Sequence, residues 1–193
     1  CMQKIVLIGM KSSGKTTVGR LLAERLGGVS LDIDREIEKQ HRTTHQEDLH
    51  FRDIYIRYGK EYFRLLESHA LTRLAHELRD ACFVLSTGGG TPLDERNQAR
   101  LRSLGTVVFL DIDAAVLLPR ITAGGVPAFF PYPDDPARSL AEVLAARRPI
   151  YRRLADMTIT FSREPPEMLA ARIEQALLEV SVVKVRPSRN HEY

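Results

Sequence analysis

The chain has 193 residues, of which 44% are hydrophobic and 27% are charged, the size and composition of a single globular domain. Its 28 basic and 25 acidic residues leave a net charge of +3, which is too small to indicate a nucleic-acid or polybasic membrane partner. Apolar runs such as residues 5–8 and 106–110 are far shorter than the ~20 residues of a membrane helix. Most of the basic residues are arginines, which bind carboxylates and phosphates through paired hydrogen bonds, so we expect a small acidic ligand.

The cysteine content indicates the compartment. Cys1 and Cys82 are the two cysteines of the chain, and they cannot form a disulfide framework. We therefore expect a reducing, cytoplasmic setting without a cleaved signal peptide. We also expect a monomer that acts on a small molecule and binds neither nucleic acid nor a membrane.

Short apolar runs alternate with longer amphipathic segments. Strands are predicted at Lys4–Ile8, Val29–Ile33, Cys82–Ser86, Thr106–Asp111 and Met157–Phe161. Apolar residues at helical spacing predict helices at Thr17–Leu26, Arg35–Gln40, Asp53–Leu78, Asp94–Leu104, Ala114–Ile121, Ser139–Leu154 and Pro166–Val180. This alternation predicts an α/β fold of three layers, α/β/α, with a five-stranded parallel sheet covered on both faces.

Two segments interrupt this pattern. Residues 122–138 are rich in glycine and proline, which predicts a mobile loop of the kind that often forms a lid. Residues 186–193 show no periodicity and are expected to be a disordered tail. We therefore predict one domain over residues 1–185.

Residues 9–16, GMKSSGKT, match the phosphate-binding pattern G-x-x-x-x-G-K-[ST] between a predicted strand and a predicted helix. Such a loop turns its backbone N–H groups towards phosphate oxygens, and the following helix adds its positive end. The lysine is expected to contact the β- and γ-phosphates, and the threonine hydroxyl to bind Mg²⁺. The pattern predicts a nucleoside triphosphate site formed by Gly9, Lys11, Ser12, Ser13, Gly14, Lys15, Thr16 and Thr17.

Two aspartates lie at the end of the second predicted strand. Asp32 and Asp34 are two residues apart, so we expect their side chains on the same side, at the ligand-binding edge of the sheet. One carboxylate would bind Mg²⁺ through water, and the other would accept or orient the proton of a substrate hydroxyl. Solvated loop acids, or an N-cap for the next helix, are the alternatives.

Three further motifs are individually weak. Arg64 and Glu67 are three residues apart on one helical face, which fits either a surface ion pair or a glutamate that orients an arginine towards an anion. The triple glycine at residues 88–90 fits either a plain loop or a close approach of the backbone to a ligand. Residues 147–151, RRPIY, place two arginines near the end of a predicted helix, where either is a candidate surface residue.

In this order, the segments GMKSSGKTTVGRLLAERLG, LDIDREIE, FRLLE, LSTGGG and ARRPIYRRLAD closely resemble the shikimate kinase family over about residues 4–173. The resemblance implies a P-loop fold like that of nucleoside kinases, with a substrate-binding subdomain at about residues 34–80 and a lid at about residues 122–138. It also implies transfer of the γ-phosphoryl group of ATP, with Mg²⁺, to the 3-hydroxyl group of shikimate.

The resemblance assigns roles to individual residues. Asp34 would contact the reacting hydroxyl, and Glu67 would position Arg64. Asp32 would lie with Thr16 at the Mg²⁺ ion, and Arg120 would line the adenine pocket. The remaining substrate contacts would come from Gly88, Gly89, Gly90, Arg64 and Arg147.

The sequence departs from the family pattern in the lid. The family carries an Arg-Pro pair there, whose arginine reaches the transferred phosphate, whereas this chain has Val126 and Pro127. We hypothesise that Arg138, the arginine within the predicted loop, replaces it as a catalytic residue. The departure leaves open a related kinase for another hydroxylated acid, such as a gluconate-type acceptor, and a catalytically impaired nucleotide-binding relative.

The segment from Glu38 to Phe63 is several residues longer than the family pattern. It contains His41, His45 and His50, whose spacing fits either a metal site or a solvated extension of a helix. We predict the helix extension and no zinc.

Overall fold

The computed structural model describes residues 3–185. Five parallel strands form one sheet in the order β2-β3-β1-β4-β5, which confirms the predicted sheet. The strand bounds are β1 (Lys4–Ile8), β2 (Val29–Asp32), β3 (Phe83–Ser86), β4 (Thr106–Ile112) and β5 (Met157–Phe161). Residues 5–8 of the central strand β1 are fully buried, because helices cover both faces of the sheet.

Each predicted helix is present. The bounds are α1 (Lys15–Leu26), α2 (Ile33–His45), α3 (Phe51–Glu77), α4 (Glu95–Leu104), α5 (Ala114–Thr122), α6 (Pro136–Leu154) and α7 (Pro166–Val185), and a short 3-10 helix spans Thr91–Leu93. The last helix returns to pack against α1, and Arg25 forms an ion pair with Glu174 across that contact. In residues 3–185 no helix combines the length and the apolar character that a membrane span requires.

Helices α2 and α3 form a corner beside the sheet and differ from their predicted bounds. Ile33 begins α2 instead of ending a strand, because the Asp32 side chain caps the helix by accepting a hydrogen bond from the Asp34 N–H at 3.0 Å. Helix α3 bends at Gly59, where φ is 85° and ψ is 170°. Only glycine adopts such a backbone readily, so this residue permits the bend.

The predicted lid loop is shorter than expected. Helix α6 begins at Pro136, so the loop comprises residues 123–135 and Arg138 lies in the first turn of a helix. Asp135 caps this helix by accepting a hydrogen bond from the Arg138 N–H at 3.1 Å, and proline is favoured in a first helical turn. Pro136 therefore starts a helix instead of extending the loop. The predicted tail at residues 186–193 lies outside the described residues.

Candidate active site

The carboxyl ends of three strands meet at one edge of the sheet. Gly9 follows β1, Asp32 ends β2, and the triple glycine at residues 88–90 comes shortly after β3. A cavity of about 1020 Å³ opens beside this edge, between α3, the lid loop and the start of the phosphate-binding loop. Ligands of open α/β sheets bind at this edge, so the cavity is the candidate acceptor site.

The phosphate-binding loop turns tightly between β1 and α1. Gly9 and Gly14 have φ values of 144° and 90°, and a side chain at Gly9 would place its Cβ only 2.7 Å from the carbonyl oxygen of Leu110. The loop also includes Ser12, with a φ of 65°, and Ser13, whose side chain is buried. Thr17 lies exposed in the first turn of α1.

Lys15 lies under this loop. Its Nζ donates hydrogen bonds to the carbonyl oxygens of Gly9 at 3.1 Å and Met10 at 2.6 Å. Burial lowers the pKa of Lys15 to about 8, although the charges of Asp34 and Asp32 act to raise it. No carboxylate among residues 3–185 forms an ion pair with this buried ammonium group, so its positive charge is available to an anionic ligand.

Thr16 and Asp32 lie side by side. The Thr16 hydroxyl donates a hydrogen bond to Oδ2 of Asp32 at 2.7 Å, while Oδ1 of the same carboxylate caps α2. Asp32 therefore caps α2 with one carboxylate oxygen and binds the Thr16 hydroxyl with the other. Asp34 lies in the first turn of α2 and not at the end of a strand as expected, but its carboxylate is close enough to that of Asp32 for the two charges to interact.

Asp34 lines the cavity, and the pKa of its carboxyl group is raised. Burial, and next the charges of Asp32 and Glu67, raise the pKa of Asp34 to about 7, although Lys15 acts to lower it. The carboxyl group is thus poised to gain or lose a proton near neutral pH, as a group that accepts a substrate proton must. Gly88 lies beside this carboxyl group, since a Cβ built on it would be 3.5 Å from Oδ1 of Asp34.

Arg64 is held towards the cavity by a fully buried carboxylate. Glu67 accepts hydrogen bonds from Nη1 of Arg64 at 2.5 Å, from the Thr91 hydroxyl at 2.5 Å and from Nδ2 of Asn97 at 3.3 Å. The side chain of Arg64 remains 18% exposed. The geometry fits an arginine oriented for an anion and not a surface ion pair. Thr91 and Asn97 belong to no motif that could have identified them from the sequence.

The triple glycine packs against the phosphate-binding loop on one side and against Arg64 on the other. A Cβ on Gly89 would lie 2.9 Å from the backbone nitrogen of Lys11, and a Cβ on Gly90 would collide with the Arg64 guanidinium. The hydroxyl of the fully buried Tyr151 donates a hydrogen bond to the Gly89 carbonyl at 2.6 Å. Tyr151 therefore fixes this loop, a role that its motif did not indicate.

The two adjacent arginines of α6 separate into two roles. Arg147 lines the cavity, with its guanidinium 4.5 Å from the ring centre of Phe129 in the lid loop. Arg148 instead binds the buried Asp111 at 2.8 Å, as Arg152 does at 2.9 Å, and both tie α6 to the end of β4. Asp111 was not identified from the sequence.

The other predicted site residues lie elsewhere. The guanidinium carbon of Arg138 lies 3.9 Å from the centre of the Tyr132 ring, and its Nε lies 3.4 Å from Oε1 of Glu142. Arg138 does not line the cavity. Arg120 is exposed in the last turn of α5. Val126 is exposed in the lid loop, next to the cavity-lining Pro127.

The histidines of the longer segment pack with aromatic residues. His41 is fully buried, its Nδ1 lies 3.1 Å from the Tyr62 hydroxyl, and its ring centre lies 4.7 Å from that of His45. His50 caps α3 by accepting a hydrogen bond from the Arg52 N–H. The prediction of a solvated helix extension is therefore wrong for His41, which is buried, although α2 and α3 are helical as expected. Within the described range, no three histidine, cysteine or acidic side chains are grouped as metal ligands.

Comparison with known proteins adds an independent finding. The family model described as shikimate kinase matches residues 11–178. A shikimate kinase of Rhizobium meliloti (strain 1021) is 34% identical over 179 residues, which cover 93% of this chain and 86% of that protein. One of Thermobifida fusca (strain YX) is 38% identical over 173 residues, 89% of this chain and 93% of that protein.

A solved structure agrees with these sequence relatives. Shikimate kinase from Acinetobacter baumannii in complex with shikimate superposes with a TM-score of 0.78 at 32% identity. The match covers 93% of this chain and 94% of that chain.

Proposed function

Because the chain belongs to the shikimate kinase family, a family of ATP-dependent phosphotransferases, we propose that it transfers the γ-phosphoryl group of ATP to the 3-hydroxyl group of shikimate. The observation that carries the proposal is the cavity beside the phosphate-binding loop. Asp34, Arg64, Arg147 and the triple glycine at residues 88–90 all line it. A proton acceptor and two guanidinium groups suit a hydroxylated carboxylic acid.

The residues present fit ATP and Mg²⁺. Among the described residues, the buried ammonium group of Lys15 donates hydrogen bonds only to neutral groups of its own loop, so the phosphates of ATP would give it a charged partner. The Thr16 hydroxyl and the Asp32 carboxylate supply hard oxygen atoms, 2.7 Å apart, of the kind that hold Mg²⁺ directly or through water. When bound, Mg²⁺ neutralises phosphate charge.

In the proposed reaction, Asp34 accepts the proton of the 3-hydroxyl as that oxygen forms its bond to the γ-phosphorus. The bond between this phosphorus and the β–γ bridging oxygen breaks, and ADP leaves. Arg64, oriented by Glu67, and Arg147 would hold the carboxylate of the acceptor. Catalysis of this kind depends on positioning and on charge neutralisation.

The test measures ADP release from ATP and Mg²⁺ with shikimate, quinate, gluconate or a nucleoside monophosphate. We expect release at ordinary kinase turnover with shikimate, and its loss in Asp34→Asn while ATP binding persists. Turnover with gluconate and not with shikimate would favour the related hydroxy-acid kinase. Absence of turnover with every acceptor would favour the impaired relative.

Further details of the proposal concern the organisation and state of the protein. We propose that residues 34–80 act as the substrate-binding subdomain and that residues 123–135 close over the cavity as a lid. The packing of Phe129 on Arg147 supports this lid role, since the loop contacts a cavity residue. We also propose a cytoplasmic monomer without nucleic-acid partners, consistent with the net charge of +3. Light scattering after gel filtration tests the monomer.

A further inference from the structure

Lys11 lies where the phosphate-binding loop meets the acceptor cavity. It is the third residue of the loop, yet it lines the cavity together with Asp34 and Arg64. The backbone at Lys11 abuts the triple glycine so closely that a Cβ on Gly89 would lie 2.9 Å from the Lys11 nitrogen. The Lys11 residue is exposed, so its ammonium group is free to adjust to a ligand.

Arg52 approaches Lys11 from the first turn of α3 and lines the same cavity. Partial burial, and next the charge of Arg52, lower the pKa of Lys11. Among the described residues, neither of these two cations forms an ion pair with a carboxylate. Arg64 and Arg96 on the same cavity, by contrast, are paired with Glu67 and Asp94.

Two like charges without an acidic partner repel each other, and an anion bound between them relieves that repulsion. The place of Lys11 and Arg52, between the phosphate-binding loop and the acceptor cavity, indicates which anion would bind there. If Arg64 and Arg147 hold the acceptor carboxylate, as proposed above, the remaining anion at the junction of phosphate loop and acceptor is the phosphoryl group that passes between them.

The lid offers no arginine for this group. Val126 occupies the position at which the family pattern carries one, and Arg138 on α6 instead contacts the Tyr132 ring of the lid loop and the Glu142 carboxylate. We propose that Lys11, assisted by Arg52, contacts the transferred phosphoryl group and supplies the positive charge that Val126 cannot. The proposal rests on the function proposed above and adds to it Lys11 as a catalytic residue and Arg52 as the neighbouring charge that acts on Lys11.

The charges balance in this step. The bond from the γ-phosphorus to the bridging oxygen breaks as the acceptor oxygen bonds to phosphorus, and Asp34 takes the hydroxyl proton. Negative charge is spread over the three peripheral oxygens of the phosphoryl group in transit. The Lys11 ammonium group donates a hydrogen bond to one of them, and after transfer it stays with the phosphate of the product.

The test compares Lys11→Met with Lys60→Met. Lys60 is an exposed cation on the same cavity, eight residues after Arg52 and beyond the bend at Gly59. Removal of Lys11 is expected to lower kcat about 10²-fold, with the KM for shikimate within about twofold, because the contact forms during transfer. Removal of Lys60 tests whether the general positive charge of the cavity is sufficient, and we expect it to lower kcat clearly less than removal of Lys11 does.

Calorimetry supplies a readout that is independent of turnover. Lys11→Met should weaken binding of shikimate 3-phosphate about tenfold or more and leave binding of shikimate within about twofold.

A rescue variant tests the same contact by kinetics. Val126→Arg introduced into Lys11→Met should recover about tenfold in kcat, because it restores a cation from the lid side.

The outcomes separate the two proposals. A wild-type protein that releases no ADP with shikimate refutes the proposed function itself. An active wild type in which Lys11→Met and Lys60→Met reduce kcat equally overturns only the role of Lys11. Equal losses of affinity for shikimate and for its phosphate would also overturn it, since a phosphoryl contact requires the product to be weakened selectively.

Discussion

Glu67→Gln tests whether the buried carboxylate positions Arg64. Glu67 is fully buried and accepts three hydrogen bonds, of which those from Arg64 and Thr91 are 2.5 Å long. The amide has nearly the same size but no charge, so Arg64, with only 18% of its side chain exposed, loses the partner that compensates its charge. The Thr91 hydroxyl can turn to accept from the new amide, so that contact is retained.

The magnitude follows from these contacts. A hydrogen bond to a charged group contributes about 1.5–3 kcal/mol, so we expect the free energy of unfolding to fall by about 2 kcal/mol. For a chain of this length the loss corresponds to a decrease in Tm of roughly 4–8 °C. A guanidinium that is no longer held should raise the KM for shikimate about tenfold, or 1.4 kcal/mol, with a smaller change in kcat.

Thermal unfolding and steady-state kinetics measure both effects, and Glu36→Gln is the matched control. Glu36 is also buried and is bound by Arg73 at 2.9 Å and Lys39 at 2.6 Å, but it does not line the cavity. Its loss should lower Tm and leave the KM for shikimate unchanged. The reasoning is refuted if Glu67→Gln raises KM no more than Glu36→Gln does.

Three further predictions concern other parts of the site. With a pKa of about 7, Asp34 should make kcat/KM fall about tenfold per pH unit below 7. The raised pKa means that the folded state loses stability as pH rises from about 4 to 7 and the carboxyl group ionises. A pKa shift from 3.8 to about 7 corresponds to roughly 4 kcal/mol, so Asp34→Asn should raise the free energy of unfolding by up to that amount at pH 8 and hardly at pH 4. A pH-independent gain in urea titrations would contradict this. Tyr151→Phe removes the 2.6 Å hydrogen bond to the Gly89 carbonyl and should cost about 1–2 kcal/mol in urea unfolding and several-fold in kcat. Asp111→Asn weakens two arginine contacts and should lower the stability by about 2 kcal/mol, with an unchanged Tm as the opposing result.

Much of the fold was predictable because its signals are local. The five strands and seven helices follow from apolar spacing, and most of their bounds agree with the structure within a few residues. The wrong bounds occur at residues whose type is common in two kinds of local structure. Pro136 was assigned to a loop but begins α6 under the Asp135 cap, and Ile33 was assigned to a strand but begins α2. Local composition does not distinguish a helix-starting proline from a loop proline.

The candidate site was predictable to a similar extent. The motifs and the family resemblance selected Lys15, Asp34, Arg64 and residues 88–90. The structure brings Asp34, Arg64 and residues 88–90 to one cavity and places Lys15 close to Asp34. Arg138 was selected because it is an arginine within a glycine- and proline-rich segment, but a helical first turn directs it to Tyr132. Sequence distance along a loop does not determine where a side chain on the following helix points.

The sequence by itself determined the class of the protein and its phosphate-binding loop. The loop motif occupies eight consecutive residues, so its geometry is set by local glycine conformations and the adjoining helix. The tertiary structure alone decided which groups complete the acceptor side. Thr91 reaches Glu67 across 24 residues, and Tyr151 reaches Gly89 across 62. Strand register and helix packing set such distant hydrogen bonds, and no local period encodes them. The same packing brings Lys11 and Arg52 to one cavity.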